Sequence, residues 1–271
     1  MAISDISLTA GMRSNLLTMQ KTSDLLNRTQ DRLSSGKKVN SALDNPTNYF
    51  AAQSYVQRAG DLDSRKDGMS EAVQQVKAAN AGISAITSLI ESAKGLATSA
   101  LSTSNTTTRA TLAGQYDTLR QQIDKLASDA SYGGKNLLQN QNITVNFNED
   151  ATSTLSVSGF SANSTGLAMT ANSNSWSADT DITTDSGKMD SAITTLRSKT
   201  QTLSANLNII TTRQDFTTSM INTLSTGSDN LTLADMNQEG ANMLMLQTRQ
   251  SLGTTALSLS SQAAQSILRL F

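Results

Sequence analysis

Two groups of acidic side chains are the first candidates for chemistry in this 271-residue sequence. Glu149 and Asp150 adjoin, and Asp179, Asp181 and Asp185 follow one another at short intervals. Clustered carboxylates can hold a hard cation, but these lack the regular spacing of a calcium loop, so they read as a solvated acidic loop. Arg28, Arg32, Lys37 and Lys38 form a basic cluster. It can contact phosphate, yet a solvated face or salt bridges between subunits is the simpler reading. Ser and Thr crowd between Thr165 and Thr184, where O-linked sugars can attach. The chain has no Cys and no His. That removes thiol nucleophiles, Cys-based metal centres, the Ser-His-Asp triad and any side chain that ordinarily titrates near neutral pH. No acids are paired in a pocket-forming context, so the chain is not expected to be an enzyme, and neither a cofactor nor a metal is expected. With 21 Lys and Arg against 22 Asp and Glu, it has no basic excess of the kind that binds nucleic acid.

The elements that carry these residues read as helices. Hydrophobic residues make up 37% and aromatics 4% of the chain, so apolar side chains must be used in narrow stripes. Met12, Leu16, Met19, Ser23, Leu26, Gln30 and Leu33 step by four and three, a heptad seam through a first helix. Ser34-Ser35-Gly36 stops it, with Gly36 as left-handed cap. Asn45-Pro46 restarts a helix that runs to about residue 100, with Asn as cap and the only Pro at the first helical position. Its core positions include Ile83, Ile86 and Ile90. After a turn at Ser102–Thr108, Leu119, Ile123 and Leu126 mark another helix, which Gly133-Gly134 ends. From 139 to 187 the period changes to two around Ile143–Phe147 and Leu155–Gly159, which predicts a small β-hairpin within a polar, solvent-facing loop. A seam through Ile193, Leu196, Leu203, Leu207 and Ile210 follows, and Ser225–Asn230 reads as its break. Thr232–Asp235 resembles a capping box for a last helix, whose seam passes through Leu233, Met236, Gly240, Met243, Gln247, Gln250, Thr254, Leu257, Leu268 and Phe271. Gly11, Gly240 and Gly253 in the terminal helices either permit close packing or simply weaken them.

The expected fold is mainly α: a long antiparallel helical bundle with a β-hairpin excursion at mid-chain and terminal helices that pair. The segments are 1–36, a connector at 37–46, a first half of the bundle at 47–138, the excursion at 139–187, a second half at 188–227 and a terminal helix at 228–271. The terminal seams are weak and sparsely charged, which points to burial by neighbouring copies of the chain. No stretch is apolar for the roughly 18 residues of a membrane span. Met1–Ser7 lacks the features of a cleaved signal peptide, which predicts a cytosolic protein or export by another route.

Several runs resemble the bacterial flagellins. Leu25–Asn45, with its Leu-Ser-Ser-Gly stop and Asn-Ser-Ala-Leu-Asp restart, is similar to the family's N-terminal signature. Tyr132-Gly-Gly-Lys-Asn-Leu-Leu138 resembles its glycine turn. Leu233–Glu239 and Gln247–Phe271 resemble its C-terminal helix, especially in alphaproteobacterial members. The resemblance implies a structural subunit that polymerises into the flagellar filament for swimming, is exported by the flagellar type III apparatus and resides outside the cell. It implies self-association as a helical homopolymer, together with an export chaperone and the filament cap and hook-associated junction proteins. It also implies that the terminal helices form the filament's inner core, with Leu16, Met19, Leu26, Leu33, Leu233, Met236, Met243, Leu257, Leu268 and Phe271 at the subunit interface. A flagellin-like hook–filament junction protein is the alternative. Family members that stimulate an innate immune receptor carry an Arg-rich patch followed by Glu-Leu. Ser92, Gly95 and Leu96 occupy the aligned positions here, which predicts weak or absent activation.

Overall fold

A computed structural model describes residues 10–268. Helices α1 (Ala10–Ser35), α2 (Pro46–Leu101), α3 (Thr106–Asp129), α4 (Asp179–Thr232) and α5 (Met236–Leu268) make up most of it. Strands β1 (Ile143–Asn146) and β2 (Thr154–Val157) pair antiparallel between α3 and α4, with Ile143 opposite Val157 and Val145 opposite Leu155. The fold is therefore mainly α with one small hairpin. The caps follow from the sequence. Gly36 takes φ 70° and returns its N–H to the Arg32 carbonyl at 2.8 Å. Asn45 Oδ1 accepts the Asn48 N–H at 3.1 Å just before Pro46. Asn105 accepts from Thr107 and Thr108 at the start of α3.

Two boundaries depart from the sequence reading. The run Ser225–Asn230 does not break the helix; α4 continues through it to Thr232. Leu224, Ser228 and Thr232 are buried at four-residue steps, and Gly227 lies against the Tyr55 ring. Packing of that face overrides the turn propensity of Ser, Gly, Asp and Asn. Thr232 is accordingly the last residue of α4 rather than a cap. The cap of α5 is Asp235, whose Oδ1 accepts the N–H groups of Asn237 and Gln238 at 2.9 and 3.2 Å. At its other end α4 begins at Asp179, within the supposed excursion. Ile182 and Asp185 extend the seam backwards from Met189, where the sequence reading begins it, and the charged Asp185 in a core position hid this from the periodicity.

The chain divides into two units: residues up to Gln57 together with those from Leu224 onward, and Arg58–Thr223. The second unit holds the large core. Here α2 and α4 run antiparallel, as the pairs Lys94–Asp190 and Ser70–Gln214 show. Ile83, Ile86, Ile90, Ile123, Ile193, Leu196, Leu203 and Ile210 are buried in one cluster, and Leu119, Leu126 and Leu207 are half-buried against it. Gly82 allows the close approach of the segment after α3: a Cβ there would lie 2.7 Å from Leu138 Cδ1 and 2.8 Å from Ala130 Cβ.

The excursion is not merely a solvent-facing loop. Ile143, Val145, Phe147, Val157, Phe160, Leu167, Met169 and Trp176 are buried in the same cluster. Polar contacts pin the rest to α3. Asp124 accepts from the Ser164 N–H and hydroxyl, Asp117 accepts from Asn172, and the Tyr116 hydroxyl donates to the Thr170 carbonyl. The expected solvated acidic loop is corrected in part: Asp150 and Asp179 are exposed, but three of the acids have charged partners. Glu149 pairs with Arg58, and Asp179 with the buried Arg109. Asp185 is fully buried and accepts from Ser173 N–H and Oγ, Trp176 Nε1 and Lys188 Nζ, at 2.8 to 2.9 Å. Burial opposes its ionised form, but Lys188, Ser173 and Trp176 outweigh that and hold its pKa below the ordinary value. These bonds also fix Asn174, Ser175 and Trp176, three successive residues at positive φ of 46°, 50° and 55°. Burial, with the nearby charge of Asp185, pushes the Tyr116 phenol above its usual range.

Candidate assembly surface

Within the first unit, α1 and α5 pack antiparallel. Arg32 Nη1 meets Glu239 Oε1 at 2.9 Å at one end, and Met19 lies on Gly253 further along. A Cβ on Gly253 would sit 3.1 Å from Met19 Cγ, so this glycine sets a close approach, whereas Gly11 and Gly240 have open space around them. The facing residues on α1 are Met19, Thr22, Leu26, Thr29 and Leu33, with both threonines buried. On α5 they are Glu239, Met243, Leu246, Gln250, Gly253 and Leu257, with Glu239 and Leu246 buried. Both sets keep the four–three step of a coiled-coil seam.

That seam differs from the one the apolar residues suggest. On α1, Thr22 and Thr29 occupy the inner positions assigned to Ser23 and Gln30, while Leu16 is exposed. On α5, Leu246 and Gly253 replace Gln247 and Thr254, and Met236 is exposed. Gly253 lets the helices approach closely at Met19, and the Thr22 hydroxyl is satisfied by the Thr18 carbonyl. A recurrence of small residues at seven-residue spacing (Thr22, Thr29) was the signal in the sequence.

The junctions at the ends of the pair are clipped together. Lys38 and Val39 donate their N–H groups to the Thr232 carbonyl, and Ala234 donates to the Gly36 carbonyl at 3.0 Å. Lys38 Nζ reaches the Asn230 carbonyl. Of the basic cluster, Arg32 and Lys38 thus have partners inside the chain. Asp44 Oδ2 accepts the N–H groups of Asn40 and Ser41, and these two bonds hold its carboxyl below its ordinary pKa.

Among the side chains the pair leaves uncovered are many apolar ones. Leu16, Leu17, Leu25, Leu233, Met236, Leu244, Met245, Leu252 and Leu259 are all exposed. Of the expected interface residues, Leu16, Leu233 and Met236 belong to this outer set. Met19, Leu26, Leu33, Met243 and Leu257 are half-buried. Leu268 ends α5, and Phe271 lies outside the described residues. Leu17, Leu25, Leu244, Met245, Leu252 and Leu259 were missed, since a seam search discards apolar residues that fall off the seam. Leu244, Leu252 and Leu259, at spacings of eight and seven, share one side of α5. Exposed apolar surface of this extent, next to so small a core, marks an interaction site. At the aligned receptor patch, Ser92 and Gly95 are exposed and Leu96 is half-buried against the second unit's core. Among the described residues no helix is long and apolar enough to cross a membrane.

Residues 6–143 match the family model described as the bacterial flagellin N-terminal helical region. Over the whole of both chains the sequence is 32% identical to flagellin FljM of Caulobacter vibrioides. It is 31% identical to flagellin FljK of the same organism, again over the whole of both chains. A flagellin of Brucella melitensis is 26% identical across 94% of this chain and 95% of its own.

Proposed function

Because the chain belongs to the bacterial flagellin family and is a structural subunit of the extracellular flagellar filament, we propose that the outer face of its α1–α5 pair is the surface that neighbouring copies bury. The observation that carries this is the row of exposed apolar side chains on a unit with few buried ones of its own: Leu17, Leu25, Leu244, Met245, Leu252 and Leu259. Met19, Leu26, Leu33, Met243 and Leu257 then act within the subunit, holding the pair so that the outer row is presented in register. Leu16, Leu233 and Met236 belong to the outer row. Segments 1–36 and 228–271 form the filament's inner core, and the helices of residues 47–138 and 188–227 form the tube around it. Such a pair gains its main stabilisation on assembly, since its apolar surface leaves water only there.

The finer partners are part of the same proposal: the flagellar type III apparatus with an export chaperone, the filament cap and the hook-associated junction proteins. Ser92 and Gly95 offer neither the Arg nor the Glu of the immune-receptor patch, so receptor activation is weak or absent. A receptor-reporter assay with full stimulation at ordinary doses overturns that part.

The test of assembly is electron microscopy of dissociated, refolded chain. Long helical filaments support the subunit role, and persistent monomers support a junction protein. Deleting Leu252–Phe271 removes Leu252, Leu259 and the close contact at Gly253. The truncated chain is expected to keep the helices of the second unit and to lose polymerisation.

A further inference from the structure

Leu43 is the most exposed large apolar side chain among the described residues, at 96% of its full accessibility. It does not sit on a loose loop. Asp44 Oδ2 accepts the N–H groups of Asn40 and Ser41 and the Ser41 hydroxyl, at 3.1, 3.1 and 3.3 Å. The Leu43 N–H donates to Ser41 Oγ, and the Asp44 N–H to the Ser41 carbonyl. Upstream, Val39 is buried with its N–H on the Thr232 carbonyl; downstream, Asn45 caps α2. The turn is thus fixed on both sides, and its one large apolar side chain is held in water. A side chain fixed before contact loses little conformational freedom when it docks.

The second unit carries a concavity of matching size. Leu62, Phe147, Phe216 and Met220 form the apolar part of the lining of a void of about 140 Å³, which Asn148, Ser153 and Thr217 share. Phe216 is exposed at its mouth. Its rim is braced by the Arg58–Glu149 ion pair and by Arg213, whose guanidinium lies 5.2 Å from the Phe147 ring centre. A void of roughly 150 Å³ admits a group as large as benzene, so the volume accommodates an isobutyl group, which would lie against the apolar part of the lining. Helical polymers are built from heterologous contacts, in which a projection on one subunit meets a different patch on the next. We propose that Leu43 is an assembly plug that enters the Leu62–Phe147–Phe216–Met220 groove of a second copy of this chain. The proposal rests on the filament role and adds a specific contact to it, separate from the α1–α5 outer face.

The chain has no cysteine, so disulfide trapping between copies has no background. Leu43→Cys and Phe216→Cys chains are mixed, polymerised, oxidised and run on a denaturing gel. A dimer band is expected from the mixture and from neither variant alone, because each polymer then lacks one partner thiol. A variant that assembles poorly by itself is copolymerised with excess wild-type chain, and the same band is read. Leu43→Asp is expected to raise the critical concentration for assembly at least tenfold with helicity and melting unchanged. Mixed filaments that give no dimer overturn the proposal, as does wild-type assembly by Leu43→Asp. Wild-type chain is polymerised in parallel. If it too stays monomeric, the filament reading falls and takes the plug with it; if it assembles, a negative result bears on the plug alone.

Discussion

Leu252→Gln separates assembly from folding. Leu252 is 65% exposed, so most of its burial is still unrealised in the single chain. Full burial of a Leu side chain is worth roughly 1.5–3 kcal/mol. About two-thirds of that, ~1–2 kcal/mol, becomes available when a neighbour covers it. Gln forfeits this gain and adds about 1 kcal/mol for an amide buried without a partner. The total of ~2–3 kcal/mol corresponds to a roughly 30- to 150-fold rise in critical concentration, at about 1.4 kcal/mol per factor of ten. Gln and Leu have similar helix propensities, so monomer stability is expected to move by no more than about 0.5 kcal/mol. The assay is sedimentation of polymer across a concentration series, with thermal melting of the monomer by circular dichroism. Leu246→Gln is the contrast, because Leu246 is buried in the α1–α5 seam and its loss is expected to weaken that pair in the monomer. A critical concentration for Leu252→Gln within threefold of wild type, at unchanged monomer stability, refutes the outer-face assignment.

Asp185→Asn is expected to destabilise the second unit by roughly 2–4 kcal/mol at neutral pH, since it leaves Lys188 and buried donors short of an anionic acceptor. The folded pKa of Asp185 is depressed, so its contribution is complete above its ordinary value of 3.8 and is lost as pH falls through the lower folded value. The gap between wild type and Asp185→Asn in denaturant melts should therefore close only below that pH; a gap that stays constant into acid contradicts the hub. Gly82→Ala is expected to cost roughly 1–2 kcal/mol, because its Cβ would collide with both Leu138 and Ala130. Gly114→Ala, with nothing within 4 Å, should instead gain about 0.5–1 kcal/mol of helix propensity; melting temperatures of the two variants check the opposite signs. Glu239→Gln removes the charge facing Arg32 and should increase amide hydrogen exchange near the start of α5 while the second unit is unaffected.

Some of these features are visible in the residues themselves. Asn45-Pro46 and Ser34-Ser35-Gly36 set helix ends through local hydrogen bonds and backbone freedom, so they read directly. The isoleucines of α2 and the leucines of α4 sit on seams dense enough to identify the main core. The alternation around Ile143–Phe147 gives the hairpin for the same reason, that side-chain period follows backbone geometry. The combination of terminal motifs points to the family, and the absence of Cys and His by itself excludes several catalytic classes.

Tertiary packing decided the rest. It carried α4 through Ser225–Asn230 and back to Asp179, because a buried face outweighs the fraction of a kcal/mol each polar residue forfeits in a helix. It turned the acids at 149, 179 and 185 from apparent solvent into partners of Arg58, Arg109 and a buried hub. It also put Thr22, Thr29 and Gly253 in the inner seam of the terminal pair in place of Ser23, Gln30 and Thr254, and left Leu16, Leu252 and Leu259 outside. Heptad spacing states that a helix has an apolar side. Which of two overlapping stripes faces the partner helix, and which is left for another copy of the chain, depends on how closely the backbones approach. That distance is set by side-chain size across the interface, a property of residue pairs far apart in the sequence.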